Sequence, residues 1–188
     1  MKVALFGDLH VDFDYTPGSS NKCGKILCCR SDSGIPRTKE EEAGPWGDYK
    51  CDLPEWTFLS MLDYIKDEVS PAMVFWSGDS ISHNLDSLSK NEVVTNKNLV
   101  IDRVMSKFKD IPVYFTLGNH DMYPLNKYAD GVDTSEEVVS QYNFRVPGDQ
   151  QDTFNKFGYY SAPIKASNGQ TAKLISFNSN FCYKHNYA

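Results

Sequence analysis

The fold of this chain is decided by the stretch Phe115-Thr116-Leu117-Gly118-Asn119-His120-Asp121. Its apolar beginning predicts a buried strand, and Gly118 permits a tight turn directly after that strand. An amide, an imidazole and a carboxylate then follow together. Such side chains grouped at a rigid strand end are typical of metal sites, so the stretch predicts a metal site at this turn.

Two further strand ends have the same design. They are Leu5-Phe6-Gly7-Asp8-Leu9-His10 and Phe75-Trp76-Ser77-Gly78-Asp79. The three strands alternate with predicted helices, and this order predicts an α/β fold with a parallel sheet. Because parallel strands end at one edge of a sheet, we expect Asp8, Asp79 and Asn119 to converge there.

Helices are predicted where apolar residues recur with helical spacing. The first begins at Asp52-Leu53-Pro54-Glu55, where Asp52 is placed to cap the helix and Pro54 suits its first turn. The second covers Asn91–Lys109, and a third begins at Thr134–Glu137. Each would pack an apolar stripe on the core.

Three segments read as strands, of two different kinds. Lys2–Phe6 is apolar on both faces, which predicts a sheet that is covered on both sides. Residues 158–164 and 172–177 flank Asn168-Gly169, a turn signal that predicts a β-hairpin.

Composition excludes two classes of function. The net charge is -6 and the pI is about 5.2, so we expect no binding of a nucleic-acid polymer. The sequence has no apolar run of the roughly 18 residues that a membrane span needs. Met1-Lys2 leads directly into the first strand, so no signal peptide is expected in this chain.

The cysteines nevertheless indicate an oxidising compartment. Cys23, Cys28, Cys29 and Cys51 lie in a long irregular insertion, residues 11–52. Adjacent Cys28 and Cys29 would each seek a different partner, so two bridges would cross-link the insertion. The alternative is free or zinc-binding thiols, although the spacing matches no common zinc pattern. Cys182 is left over, and we expect its partner outside this chain.

Single residues of the site leave alternatives open. Asp8 and His10 form a D-x-H pair that suits a metal but equally fits a capping Asp beside a surface His. His83, taken alone, reads best as a loop histidine bound to backbone. Asp12 and Asp14 could accept hydrogen bonds from ligand histidines or could be exposed loop carboxylates.

In combination, the motifs resemble the calcineurin-like metallophosphoesterases, and most closely their acid sphingomyelinase-like phosphodiesterase branch. The residues that carry the resemblance are G-D-L-H with Asp8-Leu9-His10-Val11-Asp12-Phe13-Asp14-Tyr15, Leu27-Cys28-Cys29-Arg30, Trp46-Gly47-Asp48-Tyr49-Lys50-Cys51-Asp52-Leu53-Pro54, Gly78-Asp79 with His83, Gly118-Asn119-His120-Asp121, and Asn180-Phe181-Cys182.

The resemblance implies a role for each of these positions. Asp8 and His10 would hold one zinc ion, Asp79 would bridge two zinc ions, and Asn119 would bind the second. His120 would protonate the leaving oxygen and His83 would support the phosphate. Cys23 would pair with Cys28, and Cys29 with Cys51.

The implied reaction is hydrolysis of a phosphodiester, either a choline-phosphate lipid or a nucleotide, by hydroxide attack on phosphorus at the zinc pair. The expected location is secreted or lysosomal, with at most peripheral membrane contact. The family's Gly-His-x-His motif is absent, and only His185 follows His120. Residues 1–188 therefore resemble the N-terminal portion of one catalytic domain, with an incomplete sandwich. The alternatives are a catalytically silent fragment and a calcineurin-like phosphomonoesterase.

Overall fold

The structure, a computed structural model, describes residues 1–128, 146–165 and 168–186. A parallel sheet contains β1 (Val3–Phe6), β4 (Met73–Trp76) and β5 (Val113–Phe115), in the order β1-β4-β5. Helix α1 (Glu55–Tyr64) lies between β1 and β4 in the chain, and α2 (Lys90–Lys107) lies between β4 and β5. The predicted parallel α/β order is therefore confirmed.

The remaining elements are shorter. A two-stranded parallel pair, β2 (Val11–Asp12) and β3 (Leu53–Pro54), closes the two ends of the insertion. Helix α3 (Gln151–Phe157) precedes the predicted hairpin, which is confirmed as β6 (Tyr160–Lys165) paired antiparallel with β7 (Thr171–Ser176). The helix predicted from Thr134–Glu137 lies outside the described residues.

The hairpin docks against β5 through three hydrogen bonds. The backbone N–H of Phe115 donates to Tyr160 Oη at 3.0 Å, and Ser176 Oγ donates to the Phe115 carbonyl at 2.8 Å. Thr116 Oγ1 donates to the carbonyl of Phe177 at 3.0 Å. The hairpin thus holds β5, the strand that leads into the Gly118 turn, on the edge opposite β4.

Strand β1 is buried on one face only within the described residues, so the prediction that both of its faces are covered is not met there, although Met73 of β4 is buried on the same face of the sheet as Leu5. Ala4 and Phe6 are buried on the covered face, and the Phe6 ring packs 6.4 Å from Phe108 at the end of α2. On the other face, Val3 is 41% exposed and Leu5 is 74% exposed. An apolar strand alone does not reveal what covers each of its faces.

Both helix starts differ from the sequence prediction. Helix α1 begins at Glu55 after Pro54, and no side chain caps it; the carboxylate of Asp52 has another partner, described below. Helix α2 begins one residue early, at Lys90, because Ser89 and Glu92 form a capping box. Within the described ranges, no helix is both long and apolar enough to cross a membrane.

Candidate metal centre

Three turns meet at the carboxyl edge of the sheet. The N–H of Asp8 donates to the Gly78 carbonyl at 3.1 Å, and the N–H of His10 donates to the Asp79 carbonyl at 3.0 Å. The N–H of His120 donates to Asp79 Oδ1 at 2.7 Å. The convergence predicted from the three strand ends is therefore present, and the turns are bonded directly to one another.

Two glycines allow this close approach. Gly78 has a φ of +87°, and a Cβ at this position would lie 2.2 Å from the N of Gly118. A Cβ on Gly118 would lie 2.3 Å from Asp79 Oδ1. Neither contact is possible for a side chain, so the second and third turns can touch only because both positions are glycine.

The candidate ligands sit on unusual backbone. Asp8, His10 and Asp79 have φ angles of 49°, 42° and 52°, in the left-handed region that non-glycine residues rarely adopt. Each such residue costs of order 1 kcal/mol or more, and clusters of them are typical of functional sites. The strain is maintained by the hydrogen bonds between the turns.

The donor set suits a divalent cation. One ligand atom from each of Asp8, His10 and Asp79 lies within 4.8 Å of the others. His10 Nδ1 contacts the carbonyl of Ile81 at 3.1 Å, which leaves Nε2 as the nitrogen for a metal. Asn119 uses its amide nitrogen to bind Asn126 at 3.0 Å, which leaves its amide oxygen as a ligand.

Three histidine rings cluster at this edge. The His10 ring stacks on that of His83 with 3.8 Å between centroids, and His120 lies 4.8 Å and 4.7 Å from them. Burial and the two neighbouring histidines lower the pKa of His120 to about 4, so its ring is neutral at neutral pH. Its Nδ1 is buried with no hydrogen-bond partner among the described residues. An unsatisfied buried nitrogen beside carboxylates fits a site that binds a cation and an anionic ligand.

The ionised form of Asp79 is electrostatically unfavourable without a cation. Burial, and then the nearby Asp121, raise the pKa of Asp79 to about 7. A metal that bound this carboxylate would have to displace a proton near neutral pH, and its positive charge would offset both causes of the shift.

The buried carboxylate of Asp121 connects the second and third turns. Its Oδ2 accepts from the N–H groups of Asp79 at 2.9 Å and Gly118 at 2.8 Å. Its Oδ1 accepts from Ser80 N at 3.2 Å and Ser80 Oγ at 2.8 Å. The fully buried Lys97 donates from Nζ to the Asp121 carbonyl at 2.8 Å. Helical periodicity gave no sign that Lys97 would be buried here.

The insertion also contacts the site. It contains the bridges Cys23–Cys28 and Cys29–Cys51, as the resemblance implied, while Cys182 is free and exposed. The predicted capping role of Asp52 is wrong: its carboxylate binds His83 instead.

Asp12 fits neither of the two roles considered for it, whereas Asp14 is the exposed loop carboxylate that one of them described. Asp12 is buried and pairs with Arg30, with its Oδ1 2.7 Å from Nη2. The Asp14 side chain is exposed and lies 3.6 Å from Arg30. Neither carboxylate accepts from a histidine of the site; the acceptors are the Ile81 carbonyl and Asp52.

A cleft of about 670 Å³ runs from Asp8 and His10 to the insertion. Trp46 and Tyr49 lie on its rim and are 65% and 111% exposed. Trp46 therefore lines this cleft.

Comparison with known proteins agrees with this geometry. Residues 1–186 match the family described as calcineurin-like phosphoesterase. The chain belongs to this family. Its α/β sheet, its candidate metal edge and its order of motifs are those expected from the resemblance.

Individual relatives are more specific. The chain is 32% identical over 195 residues to "Sphingomyelin phosphodiesterase" of Bos taurus, covering 99% of this chain and 31% of the relative. It is 31% identical to the Homo sapiens protein of the same name, covering 99% of this chain and 30% of that protein. It is 27% identical to "Acid sphingomyelinase-like phosphodiesterase 3b" of Mus musculus, covering 95% and 38%. The chain thus spans about a third of the length of these relatives.

Proposed function

We propose that this chain carries the metal-binding edge of a phosphodiester hydrolase. The observation that carries the proposal is the convergence of ligand atoms from Asp8, His10 and Asp79 within 4.8 Å, with the turn that contains Asn119 bonded to Asp79 through the N–H of His120. In this proposal residues 1–188 belong to a single catalytic domain, into which the disulfide-rich segment 11–52 is inserted.

Each residue has a proposed role. Asp8 and His10 would hold one zinc ion, Asp79 would be shared by two zinc ions, and Asn119 would hold the second through its amide oxygen. When bound, the zinc pair would activate a water molecule and neutralise the phosphoryl oxygens. His120 donates to the leaving oxygen, as a positioned imidazole can, and the charge of a bound phosphate would oppose the low pKa of its ring. His83 donates to a phosphoryl oxygen.

The proposed substrate is a phosphodiester. Of the two classes considered, we favour a choline-phosphate lipid over a nucleotide. The names of the bovine and human relatives support the lipid, because sphingomyelin carries a choline-phosphate group. Two disulfides support a secreted or lysosomal location. The acidic net charge of -6 does not favour a nucleic-acid polymer.

The test measures bound zinc and diester hydrolysis in the same preparations. Asp79→Ala should lower both, whereas His120→Ala should lower turnover by about 10²–10⁴-fold with zinc content nearly unchanged. His185→Ala, at an exposed position, is the matched control and should change neither. Zinc content that is unaffected by Asp79→Ala would contradict the assigned ligands.

The number of ligands favours one alternative, a chain that binds metal weakly and turns over no substrate. Zinc prefers about four ligands per ion, and the four proposed residues would serve two ions. Zinc bound at less than one equivalent, with no hydrolysis of choline-phosphate or nucleotide diesters, would select this alternative. Faster hydrolysis of a monoester than of either diester would instead favour a phosphomonoesterase.

A further inference from the structure

His83 lies on a short loop that the insertion holds on both sides. On one side stands Asp52, whose side chain is 9% exposed. Its Oδ2 accepts from the backbone N–H of His83 at 2.7 Å, and its Oδ1 lies 2.7 Å from His83 Nδ1. One carboxylate therefore fixes both the backbone and the ring of this histidine.

The other side is held by Arg30. Its Nη2 donates to Ser82 Oγ at 3.4 Å and to Asn84 Oδ1 at 3.2 Å, the residues immediately before and after His83. The guanidinium is oriented by a two-point pair with Asp12, at 2.9 and 2.7 Å. Such a two-point pair is geometrically specific, so the arginine is a rigid donor to the loop.

A disulfide joins the two sides. Arg30 follows Cys29 and Asp52 follows Cys51, and these cysteines are bonded to each other with their Cα atoms 6.1 Å apart. The two contacts on the His83 loop come from positions that are 22 residues apart in the chain. The bridge fixes them relative to each other across an irregular insertion.

We propose that Asp52 is a positioning residue for His83, and that the Cys29–Cys51 bridge with Arg30 keeps it in place. The inference deepens the proposed function, because it concerns a histidine assigned there to the phosphate. An ionised carboxylate can only accept, so the proton of a neutral His83 must lie on Nδ1. Nε2 is then the nitrogen presented to a ligand, and it donates to a phosphoryl oxygen once the ring also carries a proton there.

The first experiment determines the tautomer of His83 by ¹⁵N NMR of the 188-residue protein, which has only four histidines. At a pH where the ring is neutral, the wild-type protein should show the Nδ1–H form. In Asp52→Asn, the amide oxygen must turn to the backbone N–H, because that donor cannot change. The amide N–H₂ then faces Nδ1, and His83 should change to the Nε2–H form.

Asp14→Asn is the matched control, because Asp14 lies 3.6 Å from Arg30 and is not bonded to His83. It should leave the tautomer unchanged. An Nε2–H form in the wild-type protein, or an unchanged tautomer in Asp52→Asn, would overturn the role of Asp52. An unchanged midpoint of thermal unfolding would show that the variant is folded.

The second experiment compares two bridges. Cys29→Ser/Cys51→Ser should speed hydrogen exchange of the His83 amide at least about tenfold, because its acceptor is no longer held. Cys23→Ser/Cys28→Ser removes a bridge that carries neither contact, and exchange should stay at the wild-type rate. Equal rates in the two variants would refute a specific role of the bridge. Arg30→Gln tests the other side without touching a disulfide and should also speed exchange.

Turnover separates this inference from the proposed function. If His83 acts on the phosphate, Asp52→Asn should slow diester hydrolysis, yet Asp52→Asn/His83→Ala should be no slower than His83→Ala alone. Additive losses would show that Asp52 does not act through His83. Absence of any hydrolysis would refute the proposed function, while the tautomer and the exchange rates would still decide the positioning role.

Discussion

Replacing Asp121 by Asn tests how the site is held together. The carboxylate is fully buried and accepts four hydrogen bonds, two on each oxygen. An amide of the same shape has one acceptor and one donor end. Its N–H₂ is best placed beside Ser80, because the hydroxyl of Ser80 can rotate and accept, but the N–H of Ser80 then faces another donor.

The cost can be worked out from these contacts. One buried N–H loses its partner, which costs about 1–3 kcal/mol, and two bonds change from a charged to a neutral acceptor at about 1 kcal/mol each. Loss of the repulsion between Asp121 and Asp79 offsets part of this. The free energy of unfolding should fall by about 3 kcal/mol, which corresponds to a Tm lower by roughly 6–12 °C for a chain of this size.

The assay is urea denaturation and thermal unfolding of Asp121→Asn beside Asp102→Asn. Asp102 is an exposed carboxylate on α2, so its replacement should change the free energy of unfolding by less than about 0.5 kcal/mol. A loss below about 1 kcal/mol for Asp121→Asn would refute the reasoning. It would mean that the turns are held by the sheet, with little contribution from this carboxylate.

Three other changes test different parts of the fold. Burial lowers the pKa of Lys97 to about 8, so the unfolded chain binds more protons between pH 8 and 10.5 and stability rises with pH there. Lys97→Met should abolish that rise in urea titrations at about pH 8 and about pH 10. Removing the Cys29–Cys51 bridge should lower the free energy of unfolding by about 1.3 kcal/mol more than removing Cys23–Cys28, because the bridged cysteines are separated by 22 and 5 residues and the longer loop gains more entropy. Denaturant titrations without reductant measure both losses, and equal losses would contradict the loop-entropy argument. Ser89→Ala should lower the free energy of unfolding by about 1 kcal/mol, because the capping box of α2 is lost; an unchanged midpoint would mean that the cap is redundant.

The strand ends were predictable because their signals are local. An apolar run followed by glycine and a polar ligand type indicates a turn at the carboxyl edge, and parallel order brings Asp8, Asp79 and Asn119 together. Disulfide chemistry was also visible in the cysteine spacing, whereas the pairing of Cys29 with Cys51 came from the resemblance.

Other features were hidden because their partners are distant in sequence. Asp52 precedes a helix, and a local argument assigns it to a cap, but its acceptor oxygens serve His83, 31 residues away. Lys97 breaks the apolar stripe of α2 and would be assigned to solvent. It can be buried because the carbonyl of Asp121, 24 residues later, accepts a hydrogen bond from its Nζ. Long-range polar contacts leave no periodic trace.

Large apolar side chains that stay exposed on β1 and on the hairpin affect how this protein behaves in water. Leu5, Ile175 and Phe177 are 74%, 70% and 66% exposed. Complete burial of one such side chain is worth about 1.5–3 kcal/mol, so burying the part of these three that is still exposed would contribute about 3–6 kcal/mol, against about 5–15 kcal/mol for the stability of an ordinary domain. By mass action, anything that covers these side chains raises the apparent stability. A melting temperature measured for this chain should therefore be reported together with the protein concentration and with any other solute that can bind these side chains.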